Sequence, residues 1–205
     1  MALKLSVTRY LKTIGLSAVL ATFSLFSHAD TAASAWTLVG EQSKVAFVSI
    51  KKDTVGESNH FTSLSGDIST EGNASIAVDL TSVETHIGIR NDRLIQYIFG
   101  GDAATATLKA TLDIKTLNRL VVGETKTLAI NGSLHFLDKV IDITTTVVAA
   151  RLNEKRLFVV TDEMIILKTE ALGVNDGVDK LVELAGLPSI TRVVPVTLRM
   201  VFDKK

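Results

Sequence analysis

Three basic side chains in one short stretch are the best candidates for chemistry with a charged ligand. His86, Arg90 and Arg93 lie close together in the sequence. A guanidinium group carries a fork of N–H donors that matches the oxygens of a phosphate, so these side chains could contact a polar or phosphorylated head group. The same stretch also holds carboxylates that could form ion pairs with them instead: Asp79, Glu84 and Asp92. Such intramolecular pairing is the more ordinary use of these residues.

Patterns typical of catalysis or metal binding do not occur. Outside the N-terminal segment, His60, His86 and His135 are too scattered for the H-x-x-x-H spacing that places two metal ligands on one helical face. The chain has no cysteine and no G-x-S-x-G, H-E-x-x-H or phosphate-binding glycine loop. We therefore expect no catalytic residue, no metal ion and no cofactor. A Ser/His/Asp site assembled in space, as in a lipid-ester hydrolase, stays open as an alternative.

The N-terminal segment has the parts of a secretory signal peptide. Lys4, Arg9 and Lys12 precede an apolar run over residues 14–26, and Ser27-His28-Ala29 fits a small-x-small cleavage site. A membrane-spanning helix is the alternative, but the uncharged run falls short of the roughly 20 apolar residues that such a helix needs. We predict secretion and three regions, namely a cleaved signal peptide over residues 1–29, a short leader over 30–35 and one domain over 36–205.

Composition and charge exclude several classes of protein. The chain has 205 residues, 46% of them hydrophobic, which is enough for one domain with a substantial core. Removing residues 1–29 takes three of the 22 basic residues and none of the 22 acidic ones, which leaves 19 against 22 and a net charge of −3. No basic stripe occurs, so we expect no nucleic-acid partner. Without cysteine, the fold must be held by its core and its sheet.

The rest of the chain alternates apolar and polar residues, which is typical of half-buried β-strands. Eight such stretches are predicted as strands, over residues 44–51, 61–70, 76–81, 104–114, 128–136, 140–151, 157–168 and from 191 onward. The polar residues 52–60 are predicted to form a loop. Eight sequential antiparallel strands can close into a barrel, which removes both edges of the sheet.

Two helices are predicted beside the strands. After Gly88 the apolar residues cluster with a helical period, which indicates a short lid helix. Near the C-terminus, Asp176 is predicted to cap an amphipathic helix that Gly186 and Pro188 end. Its apolar face is spaced i, i+3, i+4 and i+7 over Val178, Leu181, Val182 and Ala185.

Small residues decide whether such a barrel is filled by its own side chains. Ala104, Ala106 and Ala110 occupy one parity of their strand, and Gly66 and Gly132 lie in other strands. An ordinary core would place leucine or phenylalanine at most of these positions, so the pattern favours a hollow interior. The alternative is that the alanines face a helix packed outside the sheet.

Strand parity and the position of the lid predict two sets of ligand-binding residues. Ordinary core packing is the alternative role of the first set, and tethering of the lid is the alternative role of the second. The predicted lumen residues are Phe47, Leu64, Ile68, Ile76, Val78, Leu80, Leu108, Leu134, Phe136, Met164, Ile166 and Met200. The predicted mouth and lid residues are His86, Ile87, Ile89, Arg90, Arg93, Leu94, Ile98 and Phe99.

One stretch resembles a known family. The order D-L-x-S-V-x-T-x-I-x-I-R-N-x-R-L-x-x-x-x-F over residues 79–99 is similar to the signature of the YceI-like, polyisoprenoid-binding family of secreted bacterial proteins. Further matches run from Trp36 to about Phe202 and include Ser43-x-Val45-x-Phe47, Gly66-x-Ile68, Gly132-x-Leu134 and Val194-Pro195-Val196. Two positions depart from the family pattern: residues 102–106 lack a proline that many members carry, and Asp138 stands where a glycine often occurs. The geometry of the entry region is therefore open.

The resemblance implies a fold, a ligand and a location. The fold is all-β, an extended lipocalin-like, eight-stranded antiparallel β-barrel, here with one C-terminal amphipathic helix and the short lid helix. The implied ligand is a long isoprenoid lipid, a polyprenyl chain or an isoprenoid quinone, held in the lumen of a periplasmic carrier without catalytic residues. Transient membrane contact fits such a carrier, and the oligomeric state, a dimer included, is open. An integral outer-membrane barrel is a competing class, although an aromatic content of 5% is low for aromatic girdles.

Overall fold

A computed structural model describes residues 34–205 of the chain, and the predicted signal peptide lies outside this part. The described residues form twelve β-strands and three α-helices. The strands are β1 (Ser34–Leu38), β2 (Lys44–Lys51), β3 (Val55–Phe61), β4 (Leu64–Ser69), β5 (Asn73–Asp79), β6 (Val83–Glu84), β7 (Thr105–Thr111), β8 (Thr125–Phe136), β9 (Lys139–Asn153), β10 (Arg156–Thr161), β11 (Ile165–Lys168) and β12 (Val193–Lys204). The helices are α1 (Gly88–Tyr97), α2 (Ile114–Arg119) and α3 (Asn175–Ala185).

Eight of the strands form a closed antiparallel ring, which confirms the predicted barrel. The hydrogen-bonded order is β1-β4-β5-β7-β8-β9-β10-β12, and β12 pairs back to β1. The second half of β12 pairs with β10 and β1, whereas its first half pairs with β11 and β2. β3 and the short β6 continue the sheet beyond β2. The barrel is therefore a complete ring at one end and is extended at the other by β2, β3, β6 and β11.

Side chains fill the end of the barrel at which β1 meets β12. Trp36 is fully buried, Ile68 is 1% exposed, and Leu117 of α2 is 2% exposed. The buried Arg151 places its guanidinium carbon 4.7 Å from the centre of the Trp36 ring, and its Nε donates to the carbonyl oxygen of Leu120 at 3.3 Å. Leu117 and Leu120 anchor α2 in this packed core, so we call this end the closed end.

Two glycines that the sequence analysis associated with a hollow interior instead allow neighbouring strands to come close. A Cβ built on Gly66 would lie 2.3 Å from the carbonyl oxygen of Ser75, and one on Gly132 would lie 2.3 Å from that of Lys109. No larger residue fits at such a distance without movement of the backbone. That part of the hypothesis is wrong, because these glycines tighten the barrel wall rather than leave space inside it.

The predicted loop over residues 52–60 is also wrong, because it contains most of β3. This strand pairs with β2 in continuous register from Val55 to Phe61. Its sequence lacks the usual apolar alternation, because the face shared with Phe61 carries the polar Glu57 and Asn59. A polar residue on the inner face of a barrel therefore concealed the strand.

The strand predicted over residues 104–114 ends early and is followed by a helix that was not predicted. The side chain of Asp113 accepts hydrogen bonds from the backbone N–H groups of Lys115 and Thr116, at 3.1 and 3.2 Å, and so caps the N-terminus of α2. Hydrogen bonds from Thr116 and Lys115 hold the pKa of Asp113 below its usual range. This cap was the local signal for a helix, and the apolar alternation through Leu112 obscured it.

Two helices cover the other, open end of the barrel: the predicted lid helix α1 and the C-terminal helix α3, whose position was not predicted. α3 ends at Gly186, which adopts the left-handed conformation at φ 59°, although the helix starts at Asn175 and Asp176 lies in its first turn instead of at its cap. α3 crosses α1 closely, since a Cβ on Gly177 would lie 1.9 Å from the carbonyl oxygen of Tyr97. Only glycine permits this approach, and it fixes how α3 packs on the lid helix α1.

Candidate ligand-binding cavity

A cavity of about 460 Å³ lies inside the barrel between the packed closed end and the two covering helices. Its size falls in the range of roughly 300–1,000 Å³ that is typical of small-molecule sites. The wall is mostly apolar and is built from β2, β3, β5, β7, β8, β9, β11, β12, α1 and α3. Such a wall suits a hydrocarbon ligand, because burial of apolar surface is the main favourable term that it can supply.

Ala106 keeps the middle of the barrel open. It lines the cavity and is 5% exposed, and its direct neighbours across the sheet are Val78 on β5 and Phe136 on β8. Its single methyl group leaves space that a leucine would fill. Ala104 and Ala110, which were predicted to act in the same way, do not line the cavity. The hollow-interior hypothesis therefore holds at one of the three alanines.

A row of phenylalanine rings crosses the interior and connects the lid to the wall. The ring centres of Phe47 and Phe61 lie 5.4 Å apart, those of Phe61 and Phe99 lie 5.5 Å apart, and those of Phe99 and Phe136 lie 6.3 Å apart. These separations are typical of favourable aromatic pairs. Because Phe99 follows α1 directly, the row anchors the C-terminal end of the lid over the cavity.

A hydrogen-bonded turn anchors the other end of the lid. The Oγ1 of Thr85 donates to the side-chain oxygen of Asn91 at 2.6 Å, and the same oxygen accepts from the backbone N–H of Thr85 at 3.0 Å. Thr85 is 5% exposed. Two stretches of the chain thus flank α1 and fix its position, one through polar contacts and one through aromatic contacts.

The mouth of the cavity carries an ion cluster around Glu57. Its carboxylate accepts from Lys51 Nζ at 2.7 Å and from both terminal nitrogens of Arg90 at 3.0 Å. Burial pushes the pKa of Glu57 up, but the hydrogen bond from Lys51 and the charge of Arg90 outweigh it, so the pKa lies below its ordinary value of 4.5. The cluster ties the lid helix to β2 and β3.

Acidification is expected to weaken this cluster. Because the pKa of Glu57 is lowered in the folded chain, its stabilising contribution is present above 4.5 and is lost as the pH falls through the lowered value. We expect the urea midpoint of the parent to fall more steeply in that acid range than the midpoint of Glu57→Gln. The exposed Glu154→Gln is the control and should follow the parent. Identical pH profiles for the parent and Glu57→Gln would contradict this assignment.

The three basic residues singled out in the sequence have different surroundings. Arg90 is bound to Glu57, a partner that the sequence analysis did not consider. His86 does not line the cavity, its side chain is 76% exposed, and its backbone N–H donates to the carboxylate of Glu84. Arg93 lines the cavity and is half-buried, and within residues 34–205 it has no hydrogen-bond or ion-pair partner. Of the three, Arg93 is the cation left available to a ligand.

Most of the predicted lumen and lid residues lie together around the cavity. The predicted lumen residues that line it are Phe47, Ile76, Val78, Leu80, Leu108, Leu134, Phe136 and Met200. The predicted mouth and lid residues that line it are Ile87, Ile89, Arg90, Arg93, Leu94, Ile98 and Phe99. His86 is the one mouth residue placed elsewhere.

Four predicted lumen residues do not face the cavity. Leu64 and Ile68 are buried, but Ile68 pairs with Trp36 at the closed end, because alternation predicts the inner face of a strand and not the depth along the barrel. Met164 and Ile166 are 62% and 56% exposed, so their lumen assignment is wrong. Residues 164–167 are apolar on both parities, and the pattern therefore could not select the inward face.

Several lining residues were missed by the sequence analysis. On β11 the inward residues are Ile165 and Leu167, and the pairing of Ile165 with Val196 on β12 shows which parity faces inward. The apolar face of α3 supplies Val178, Leu181 and Ala185. Their helical spacing was recognised, but nothing in the sequence located the helix over the barrel. Other lining residues that were missed include Val45, Ile143, Leu172, Val174, Val194 and Leu198.

Residues 34–205 contain neither a cluster of metal-binding side chains nor a helix that could cross a bilayer. No cluster of three or more His, Cys, Asp or Glu residues in that part is arranged to hold a metal ion. None of its helices is long and apolar enough to cross a bilayer.

A closed antiparallel ring with an apolar cavity beneath two helices defines a lipocalin-like barrel. No family model matches the chain, and no curated protein matches it. A polyisoprenoid binding domain from Saccharophagus degradans, implicated in plant cell wall breakdown, is 31% identical with a TM-score of 0.82, over 84% of this chain and 99% of that domain. BcnA of Burkholderia cenocepacia is 19% identical with a TM-score of 0.59, over 80% of this chain and 98% of that one, which supports the fold alone. The chain belongs to the YceI-like, polyisoprenoid-binding family.

Proposed function

We propose that the protein is a carrier for a long-chain isoprenoid lipid, either a polyprenyl lipid or an isoprenoid quinone. The observation that carries the proposal is the apolar cavity of about 460 Å³ inside the barrel. The related domain from Saccharophagus degradans, which is described as polyisoprenoid binding, supports the same ligand class. Binding and release are the whole role, and no bond of the ligand is made or broken.

The energetics of an apolar cavity favour a carrier over a tight store. Burial of each carbon of the ligand contributes about 0.8 kcal/mol relative to water. A lipid in a bilayer is already in hydrocarbon, however, so most of that gain disappears when membrane and cavity compete for it. The protein should therefore exchange its ligand with membranes at little net cost in free energy.

Lipid transfer between vesicles tests the carrier role directly. The probe is a fluorescent polyprenol of about eight isoprene units in donor vesicles that also contain a quencher. Acceptor vesicles without quencher are added in excess, so transfer is seen as a rise in fluorescence. We expect the transfer rate to rise in proportion to the concentration of the protein. A rate that does not depend on protein would contradict the carrier role. Hydrolysis of a lipid ester under the same conditions would favour the competing hydrolase.

Arg93 is proposed to contact a negatively charged head group at the mouth. Arg93→Gln should weaken binding of a polyprenyl phosphate on the order of tenfold, since a hydrogen bond to a charged group is worth about 1.5–3 kcal/mol. Binding of the neutral polyprenol should not change. The control is Arg119→Gln, an exposed arginine of α2 at the closed end. Binding is measured by displacement of a fluorescent lipid. Equal losses for the charged and the neutral ligand would contradict this role.

We also propose that the protein works in the periplasm and contacts membranes briefly. The basic and apolar N-terminal segment supports export. The rim residues Ile87 and Ile89 line the cavity and are also 44% and 59% exposed, so a lipid leaving the mouth would pass over them. Cell fractionation and N-terminal sequencing are the tests. We expect a periplasmic chain that starts at Asp30, and an uncleaved or cytoplasmic chain would contradict the proposal.

A further inference from the structure

Within residues 34–205, β9 and β11 flank a seam in the wall of the barrel that strand pairing does not close. β9 pairs with β10 over residues 147–153, and the last contacts on this side are from Asp162 N–H to Thr146 O at 2.9 Å and from Thr145 Oγ1 to Glu163 O at 3.1 Å. After these contacts the chain continues into β11, whose only strand partner within residues 34–205 is β12. At its other end the seam is bounded by the contact of the Lys139 side chain with Gly173, where a Cβ built on the glycine would lie 3.0 Å from Cε of Lys139. We call the gap between these limits the β9–β11 seam.

The seam is closed by a layer of side chains that is one residue thick. Ile143, Ile165, Leu167 and Leu172 line the main cavity on the inside. The same four residues line a groove of about 240 Å³ between β9 and β11, which also contains the exposed Asp142, Thr144 and Lys168. In the eight-stranded ring, hydrogen-bonded strands separate the interior from solvent, whereas at the seam the barrier consists of aliphatic side chains that can change rotamer.

The outer surface at the seam is apolar. Ile166 lines the groove and is 56% exposed, and its neighbour Met164 is 62% exposed. On the other side Val140, next to the groove residue Ile141, is 63% exposed. Single exposed apolar residues are ordinary, but here they flank a stretch at which side chains alone cover the interior.

The volume of the cavity limits the length of the chain that it can enclose. An apolar cavity of about 150 Å³ holds a benzene ring, so a cavity of 460 Å³ holds on the order of 18 carbons, or between three and four isoprene units. A longer isoprenoid must leave the cavity somewhere. The mouth carries the ion cluster of Glu57 and the cation of Arg93, which suit a charged head group, and a chain whose head group stays there needs a second way out for its distal end.

We propose that the β9–β11 seam is a lateral portal through which the distal end of a long isoprenoid chain leaves the barrel. The head group stays at the mouth, the first units fill the cavity, and the remaining units lie in the groove against Ile166 and Met164. The inference rests on the proposed function and adds a chain-length rule to it. Ligands of up to about four units fit wholly inside, whereas longer ones need the seam to open.

Cross-linking of the seam tests the portal, because the chain has no native cysteine. In the double variant Thr144→Cys and Ile166→Cys, a flexible bis-maleimide joins two exposed residues of the groove. The matched control is Val148→Cys with Val160→Cys, which are direct partners in the hydrogen-bonded pairing of β9 and β10. Both proteins are stripped of lipid, cross-linked and offered polyprenols of about three and about ten units.

We expect the cross-linked seam to lower binding of the long polyprenol at least tenfold and to leave the short one unchanged. The control cross-link should change neither. Equal binding of the long polyprenol before and after seam cross-linking would overturn the portal while the carrier function stands. Failure of the parent to bind either polyprenol would overturn the carrier function itself.

A second measurement does not depend on the cross-linker. The single variant Ile166→Cys is loaded with the long or the short polyprenol and labelled with a maleimide. We expect the long ligand to slow labelling several-fold and the short one to have no effect, whereas Val160→Cys should label at the same rate with both. Equal labelling of Ile166→Cys with both ligands would contradict the portal.

Discussion

Replacement of Ala106 by phenylalanine is expected to remove most of the ligand that the protein carries. Ala106 faces the middle of the cavity between Val78 and Phe136. The cavity holds on the order of 18 carbons, so the six carbons of a phenyl ring would fill about a third of it. We expect at least a tenfold lower yield of extracted isoprenoid and a similar loss of polyprenol binding. The unfolding free energy should change little compared with this loss of binding, because the ring enters a cavity and not a packed core.

Thr107→Phe is the matched control for this variant. Thr107 follows Ala106 on β7, and alternation points its side chain to the other face of the sheet. It should retain the ligand of the parent. A full complement of ligand in Ala106→Phe, with a folded barrel, would show that the ligand lies somewhere other than this cavity.

Replacement of Trp36 by alanine is expected to have the largest effect on stability. Trp36 is fully buried at the closed end, pairs with Ile68 on β4 and Lys204 on β12, and packs against the guanidinium of Arg151. Loss of a buried aromatic side chain of this size typically costs about 3–5 kcal/mol of unfolding free energy. The loss weakens the packing of β1, the strand that closes the ring by pairing with both β4 and β12.

Urea denaturation followed by circular dichroism measures this effect, because Trp36 is the single tryptophan and its fluorescence is lost in the variant. The control is Thr37→Val on the same strand. The buried Oγ1 of Thr37 has no hydrogen-bond partner in the described structure, so its replacement by a methyl group should be close to neutral. Equal stability of Trp36→Ala and the parent would contradict the role assigned to the closed end.

Alternation of residue types made the barrel predictable. On β12, Val196, Leu198 and Met200 line the cavity because the period of two is unbroken and a single face is apolar. The same rule fails where both parities are apolar, as over residues 164–167, and there the register with β12 decides which residues face inward. It fails again at β3, where Glu57 and Asn59 face inward and break the pattern.

The charged groups at the mouth and the seam in the wall were harder to predict than the apolar lining of the cavity. Local sequence identified Arg90 and Arg93 as candidate cations. Glu57, which forms the ion pair with Arg90, lies 33 residues away in the chain and is brought near it by the pairing of β3 with β6, the strand before α1. The seam between β9 and β11 has no sequence signal of its own, since both strands lie within stretches that the sequence predicts as ordinary strands. Contacts between distant elements set both features, and no pattern within one element reports them.

The central claim is that an isoprenoid lies in the cavity of the native protein. Mass spectrometry of an organic extract of the purified mature protein tests it most directly. We predict one full-length isoprenoid in close to stoichiometric amount from the parent and from Thr107→Phe, and far less from Ala106→Phe. An extract without isoprenoid, or with equal amounts from all three proteins, would contradict the claim.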